Sequence, residues 1–152
     1  MRNNVGFVGF DGTECKRAIF AIHSVKEGES ISGDLNVLLR SPHARAKSML
    51  SKQKRICNVR AFLSDKKDKN KWEGAGVVIE GGLQEFFDQS DVVAIGTPAG
   101  YETPYVQSCI SHDCRAILMG GASRSKIRED LANNRIEIPE NIDDDLKKEF
   151  FF

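Results

Sequence analysis

The chain has 152 residues, 40% of them hydrophobic and 29% charged, with 22 basic side chains balancing 22 acidic ones. That length suits one domain able to bury a core without staples, and no apolar run approaches the ~20 residues of a membrane-spanning helix. The charges are segregated: eleven Lys or Arg and two Asp lie between Arg40 and Lys71, and eight acids and three bases between Glu129 and Phe152. This pattern argues against a uniformly basic nucleic-acid coat and allows a local anion site or a contact between tail and middle.

The opening residues, 1–8, carry no long apolar stretch and no small-residue cleavage site, so the chain is expected to be cytoplasmic. Val5-Gly6-Phe7-Val8-Gly9-Phe10 is a short apolar run ending in glycine, which predicts a buried strand. Asp11-Gly12-Thr13 then opens a pattern in which Cys15, Ala18, Ile19, Ile22 and Val25 recur at helical spacing, predicting a helix over 13–25. A polar loop follows over 28–33, then a second strand over 35–39. Pro42 stops that strand and suits the first turn of a helix over 43–54. A third strand is predicted over 57–63, a solvated loop over the charge run 65–71, and a small extended piece over 76–79. Leu83, Phe86 and Phe87 predict a helical turn over 83–89. A strand over 92–95, a helix over 105–111 and a strand over 116–119 complete the alternation. A charged helix is expected over 123–134, and Pro139 marks a break before the acidic tail.

Strands alternating with helices predict an α/β fold with a doubly wound, mostly parallel sheet and helices on both faces. The strongest chemical signal is Gly9-Phe10-Asp11-Gly12-Thr13-Glu14-Cys15 between the first strand and helix. Dinucleotide-binding Rossmann folds need glycine where the strand turns sharply and where backbone approaches a pyrophosphate. The helix start then offers free N–H groups to the phosphates. Here the spacing is G-x-x-G-x-x-C, with Cys15 at the place of the third glycine. Gly9, Asp11, Gly12 and Thr13 are therefore candidate cofactor residues, although a carboxylate at Asp11 repels a pyrophosphate unless it turns away or binds the ribose. The same residues also suit a plain turn with no ligand.

A second signal follows the second strand. Many such folds place an acid there to accept from the adenosine ribose; this chain has Arg40-Ser41, with Arg45 and Lys47 a turn later. A guanidinium and a hydroxyl suit a ribose 2′-phosphate, so NADP is expected to fit better than NAD. The bland alternative is a solvated basic helix face. Gly96-Thr97-Pro98-Ala99-Gly100 after the 92–95 strand is the third signal, since loops beyond the carboxyl ends of strands line the ligand crevice. The four cysteines, at 15, 57, 109 and 114, form no CxxC pair and are expected to be reduced. Cys109, His112 and Cys114 offer only three candidate ligands, so no metal is assigned.

Taken together, these residues resemble the nucleotide-binding domain of archaeal-type glyceraldehyde-3-phosphate dehydrogenase. The resemblance rests on residues 5–10 with Gly12-Thr13 and Lys16-Arg17, on Asp91-Val92-Val93 with Gly96-Thr97-Pro98, and on Arg115-Ala116-Ile117-Leu118-Met119-Gly120-Gly121. The order of features over 62–82 is also similar. It implies a Rossmann-like domain over 1–122 that binds NAD or NADP, followed by a charged extension over 123–152. The family turn has one residue fewer, so Asp11 looks like an insertion. The family's catalytic cysteine lies in a Ser-Cys-Asn-Thr-Thr-like segment on a second domain, and nothing here matches that segment. The chain alone is therefore not expected to be an enzyme.

Three roles follow: a stand-alone module binding NADP, NAD or another adenine nucleotide; a degenerate fold without cofactor, acting in assembly or protein interaction; or an oxidoreductase completed by another chain or by self-association. Nucleic acid is not the expected partner, since no aromatic residues interleave the basic run for base stacking. The tail ends in Phe150, Phe151 and Phe152 behind Asp143-Asp144-Asp145. Such a segment suits docking to a protein partner or a second copy, or folding back on its own domain.

Overall fold

The computed structural model describes residues 4–9, 35–54, 58–97, 100–118 and 124–135. Six strands form one sheet: β1 (Val5–Gly9), β2 (Leu35–Leu39), β3 (Val59–Leu63), β4 (Ile79–Gly81), β5 (Val92–Gly96) and β6 (Arg115–Leu118). Their order is β4-β3-β2-β1-β5-β6. Every neighbouring pair is parallel, with Val5 opposite both Leu35 and Val92. The sheet grows from β1 outward to β2, β3 and β4 on one side and to β5 and β6 on the other. That is the doubly wound, Rossmann-like arrangement.

Helices α1 (Ala44–Lys54), α2 (Lys69–Gly74), α3 (Leu83–Asp88), α4 (Thr103–Ser111) and α5 (Arg124–Asn133) cover the sheet, with a 3-10 turn at Lys66–Asp68. Alternate strand residues feed two separate cores, as the two-residue period of a strand requires. Val5, Phe7, Val37, Leu39, Ala61 and Leu63 meet Ala46 and Leu50 of α1 and Trp72 of α2 on one face. Val8, Leu38, Phe62, Val93 and Ile95 meet Phe86 and Phe87 of α3, Val106 and Cys109 of α4, and Ile127 and Leu131 of α5 on the other. Burial on both faces explains why the inner strands read as continuous apolar runs. Among the described residues, no helix is long and apolar enough to cross a membrane.

Local chemistry sets the boundaries. His43 Nδ1 accepts from the Ala46 N–H at 3.2 Å and so caps α1, which starts beyond Pro42 rather than around it. Glu85 reaches back to the Gly82 N–H at 3.2 Å and fixes the start of α3. The charge run expected as a solvated loop is instead the 3-10 turn followed by α2. Asp65 Oδ1 accepts from the Lys67 N–H at 3.0 Å and starts the turn. Trp72, fully buried, then holds α2 against the sheet. One anchored ring outweighs the solubility of the lysines around it, because the lysines stay exposed while the ring is removed from water. The extended piece expected over 76–79 is displaced to β4 at Ile79–Gly81. The expected helix over 13–25 lies outside the described residues, as does the tail.

Candidate functional site

The strand order reverses between β1 and β5, so connections leave these neighbours in opposite directions. Open α/β sheets bind ligands in the crevice beyond the carboxyl ends of strands at such a point. Gly9 and Gly96 close the two strands and pair with each other. Thr97 follows immediately. Its Oγ1 is buried and has no hydrogen-bond partner among the described residues. A buried hydroxyl left unpartnered costs about 1–3 kcal/mol. At Gly9 the missing Cβ has a packing reason, because an added Cβ would lie 2.2 Å from Phe7 Cζ. The Phe7 ring leans along β1 into the space a side chain at position 9 would occupy.

The end of β2 extends the crevice. A cleft of about 200 Å³ joins Gly9 to Arg40, Ser41 and His43. A second cleft of about 410 Å³ continues from Arg40 and Ser41 to Lys67, Asp68, Tyr101 and Tyr105. The turn that shapes it is tied to the core. The Trp72 indole Nε1 donates to the Arg40 carbonyl, and the Ser64 N–H and Oγ both donate to the Leu39 carbonyl at 3.0 Å. Ser41 Oγ donates to Asp68 Oδ1 at 3.1 Å, and Asp68 is only 2% exposed. Lys67 pairs with Asp65 at 3.6 Å. Burial pushes the Tyr105 phenol above its usual range, and the Arg40 charge beside it partly offsets this.

The loop after β5 forms the far wall. Gly100 adopts φ +94°, a conformation that suits glycine. Its N–H donates to Glu102 Oε2 at 2.9 Å, and Glu102 is buried. The Glu102 carbonyl in turn accepts from the N–H groups of Tyr105 and Val106 at the start of α4. Tyr101, at 67% exposure, stands over the cleft as one of two large apolar side chains left in solvent among the described residues.

The structure thus brings Gly9, Arg40 and Ser41 into one cleft, and Gly96, which Thr97 follows, pairs with Gly9 in the sheet. Asp11, Gly12, Thr13, Pro98 and the partner candidates Phe150, Phe151 and Phe152 lie outside the described residues. Sequence reasoning missed Lys67, Asp68, Tyr101, Glu102 and Tyr105. The signal for the first two was the spacing of Trp72 from the charge run; the others follow Gly100, where the loop motif was read to stop. Cys109 and Cys114 lie on the second core face, away from this cleft, and both are buried and unpaired. A hydrogen bond with Cys114 and burial push the Cys109 thiol well up.

No known protein family matches the chain, and a search of curated proteins finds no match.

Proposed function

We propose that this chain is a Rossmann-like module that binds an adenine nucleotide of the NAD(P) type at the carboxyl edge of its sheet. One observation carries the reading: the cleft joining Gly9 to Arg40 and Ser41 opens beside the point where strand order reverses. The pairing of Gly96 with Gly9, which sets Thr97 next in the chain at the same edge, supports it from the β5 side. The lining fits the group: Arg40 supplies a cation, Ser41 a hydroxyl oxygen, and Tyr101 an exposed ring face for an adenine to lie on. A bound nicotinamide dinucleotide would supply hydride chemistry. The residues of this chain bind and orient the adenosine end, and none is assigned to catalysis.

Calorimetric titration with NAD, NADP, ATP and coenzyme A tests the reading. A micromolar Kd is expected for a nicotinamide dinucleotide, corresponding to about 8 kcal/mol. At a hundredfold excess over Kd the ligand stabilises by about 2.7 kcal/mol, which raises Tm by roughly 5–10 °C at this chain length. Absence of binding by all four would leave the chain as an assembly or interaction scaffold. Turnover only on adding a second chain would instead mark it as half of an oxidoreductase.

A further inference from the structure

We infer that the cleft selects an adenosine whose ribose carries a free 2′-hydroxyl, and that Asp68 together with Ser41 makes the selection. The inference rests on the nucleotide reading above and reverses the NADP preference expected from Arg40-Ser41 as a sequence.

The argument starts from a single proton. A serine hydroxyl has one O–H to donate and two lone pairs to accept with. Ser41 directs that O–H to Asp68 Oδ1 at 3.1 Å. Asp68 is 2% exposed, so its carboxylate depends on donors from the protein rather than on water. Turning the Ser41 hydroxyl toward a ligand would remove a donor from a buried charge. Ser41 therefore faces the cleft with lone pairs. A ribose 2′-hydroxyl can donate to them. A 2′-phosphate dianion has only acceptor oxygens and meets repulsion instead.

The charges around Ser41 act in the same direction. Two cations, Arg40 and Lys67, and two carboxylates, Asp65 and Asp68, line the larger cleft. Lys67 is engaged by Asp65, through an ion pair at 3.6 Å and through the Asp65 cap on its backbone N–H. The two cations and two carboxylates sum to zero, so the pocket as a whole is neutral. A neutral diol suits it, whereas a dianion would face the buried carboxylate behind Ser41. The acid sits after β3 rather than after β2, so the second strand's end alone does not reveal it.

Paired titrations with NAD and NADP, and with AMP and adenosine 2′,5′-bisphosphate, provide the test. The wild-type chain should bind the 2′-hydroxyl member of each pair at least tenfold more tightly. Asp68→Asn keeps an acceptor for Ser41 and removes the charge, so NADP affinity should rise toward that of NAD. Because Asp68 is buried, its folding is checked by circular dichroism melting. Ser41→Ala, at an exposed position, serves as the second variant: NAD should weaken severalfold while NADP does not. Equal or tighter binding of NADP by the wild-type chain overturns the selection but leaves the nucleotide reading standing. Binding of neither dinucleotide and neither monophosphate overturns both.

Discussion

Trp72→Phe isolates the contact that joins the core to the cleft. Trp72 packs in the same cluster as Leu39, Leu63 and Val77 and is fully buried. Its indole N–H donates to the Arg40 carbonyl, the last backbone group before the cleft turns to Ser41. Phenylalanine keeps one ring in the core and loses the N–H. The hydrogen bond contributes about 1 kcal/mol net. Truncation of a buried Trp to Ala costs about 3–5 kcal/mol, and loss of part of the ring system costs about 1–2 kcal/mol on that scale. The sum is about 2–3 kcal/mol, a large share of the roughly 5–15 kcal/mol that holds a domain together. Urea unfolding followed by circular dichroism reads it, because the substitution removes the chain's single tryptophan. With a slope of about 2 kcal/mol/M the midpoint should fall by about 1 M. Affinity for NAD should also fall, since the Arg40 turn loses its tether. A midpoint within about 0.2 M of wild type at equal slope would show that the indole neither packs nor holds the turn as described.

Other substitutions probe separate parts of the molecule. A Cβ at Gly6 would lie 2.7 Å from Ser90 Oγ and 2.8 Å from Phe86 Cζ, so Gly6→Ala should destabilise by about 1–3 kcal/mol; a neutral result in chemical denaturation would mean that α3 sits farther from β1. Arg40→Ala leaves the cleft with excess negative charge, so NADP should weaken more than NAD by calorimetry; equal losses would remove Arg40 from the ribose end. Cys109 and Cys114 are buried, and both should resist iodoacetamide in the native protein and react in urea, as peptide mass spectrometry can show; fast native labelling would contradict their burial. Asp130 is held below its usual carboxyl range of 3.8 by hydrogen bonds from Lys126 and Thr103. A depressed folded pKa stabilises above the unfolded value and is lost as pH falls through the folded one. Asp130→Asn should therefore lower Tm near pH 6, and the difference from wild type should shrink as pH falls below 3.8.

The sheet was legible because its strands carry the signal themselves. Val5–Gly9, Leu35–Leu39 and Val92–Gly96 are buried on both faces and stand out as apolar runs between turn residues. Arg40 and Ser41 were legible as cleft residues because a strand that ends in a parallel sheet opens onto the binding edge. What was not legible depends on contacts between distant segments. Asn36 interrupts an apolar strand and is fully buried. Its amide donates to the Gln89 carbonyl at 3.0 Å and to Ser90 Oγ at 3.2 Å, more than fifty residues away. Asp68 was hidden for the same reason. In sequence it is one charge among lysines, and only the fold brings it beneath Ser41. The helical character of the 66–74 stretch was masked because one buried ring, Trp72, carries the packing of a segment that is otherwise polar.

Each edge of the sheet holds a buried polar atom without a partner among the described residues, Asn36 Oδ1 toward the amino edge and Thr97 Oγ1 at the carboxyl edge, and the clefts at Arg40 and Ser41 open at the carboxyl one. At the amino edge, hydrogen bonds link the starts of the strands to one another and to the helix ends. Asn4 donates to Asp91 Oδ2 at 2.7 Å and the Asp91 carbonyl accepts from the Arg115 N–H, which links the starts of β1, β5 and β6. Asn36 ties β2 to the end of α3. His112 meets Asp88 at 2.6 Å and stacks on Phe87, joining α4 to α3. Such a network fixes strand order without a ligand. At the carboxyl edge, the Thr97 hydroxyl is buried without a partner among the described residues, a tyrosine stands in solvent, and two clefts meet at Arg40 and Ser41. A nucleotide held in those clefts should raise the melting temperature while leaving the amino-edge hydrogen bonds unchanged in amide exchange.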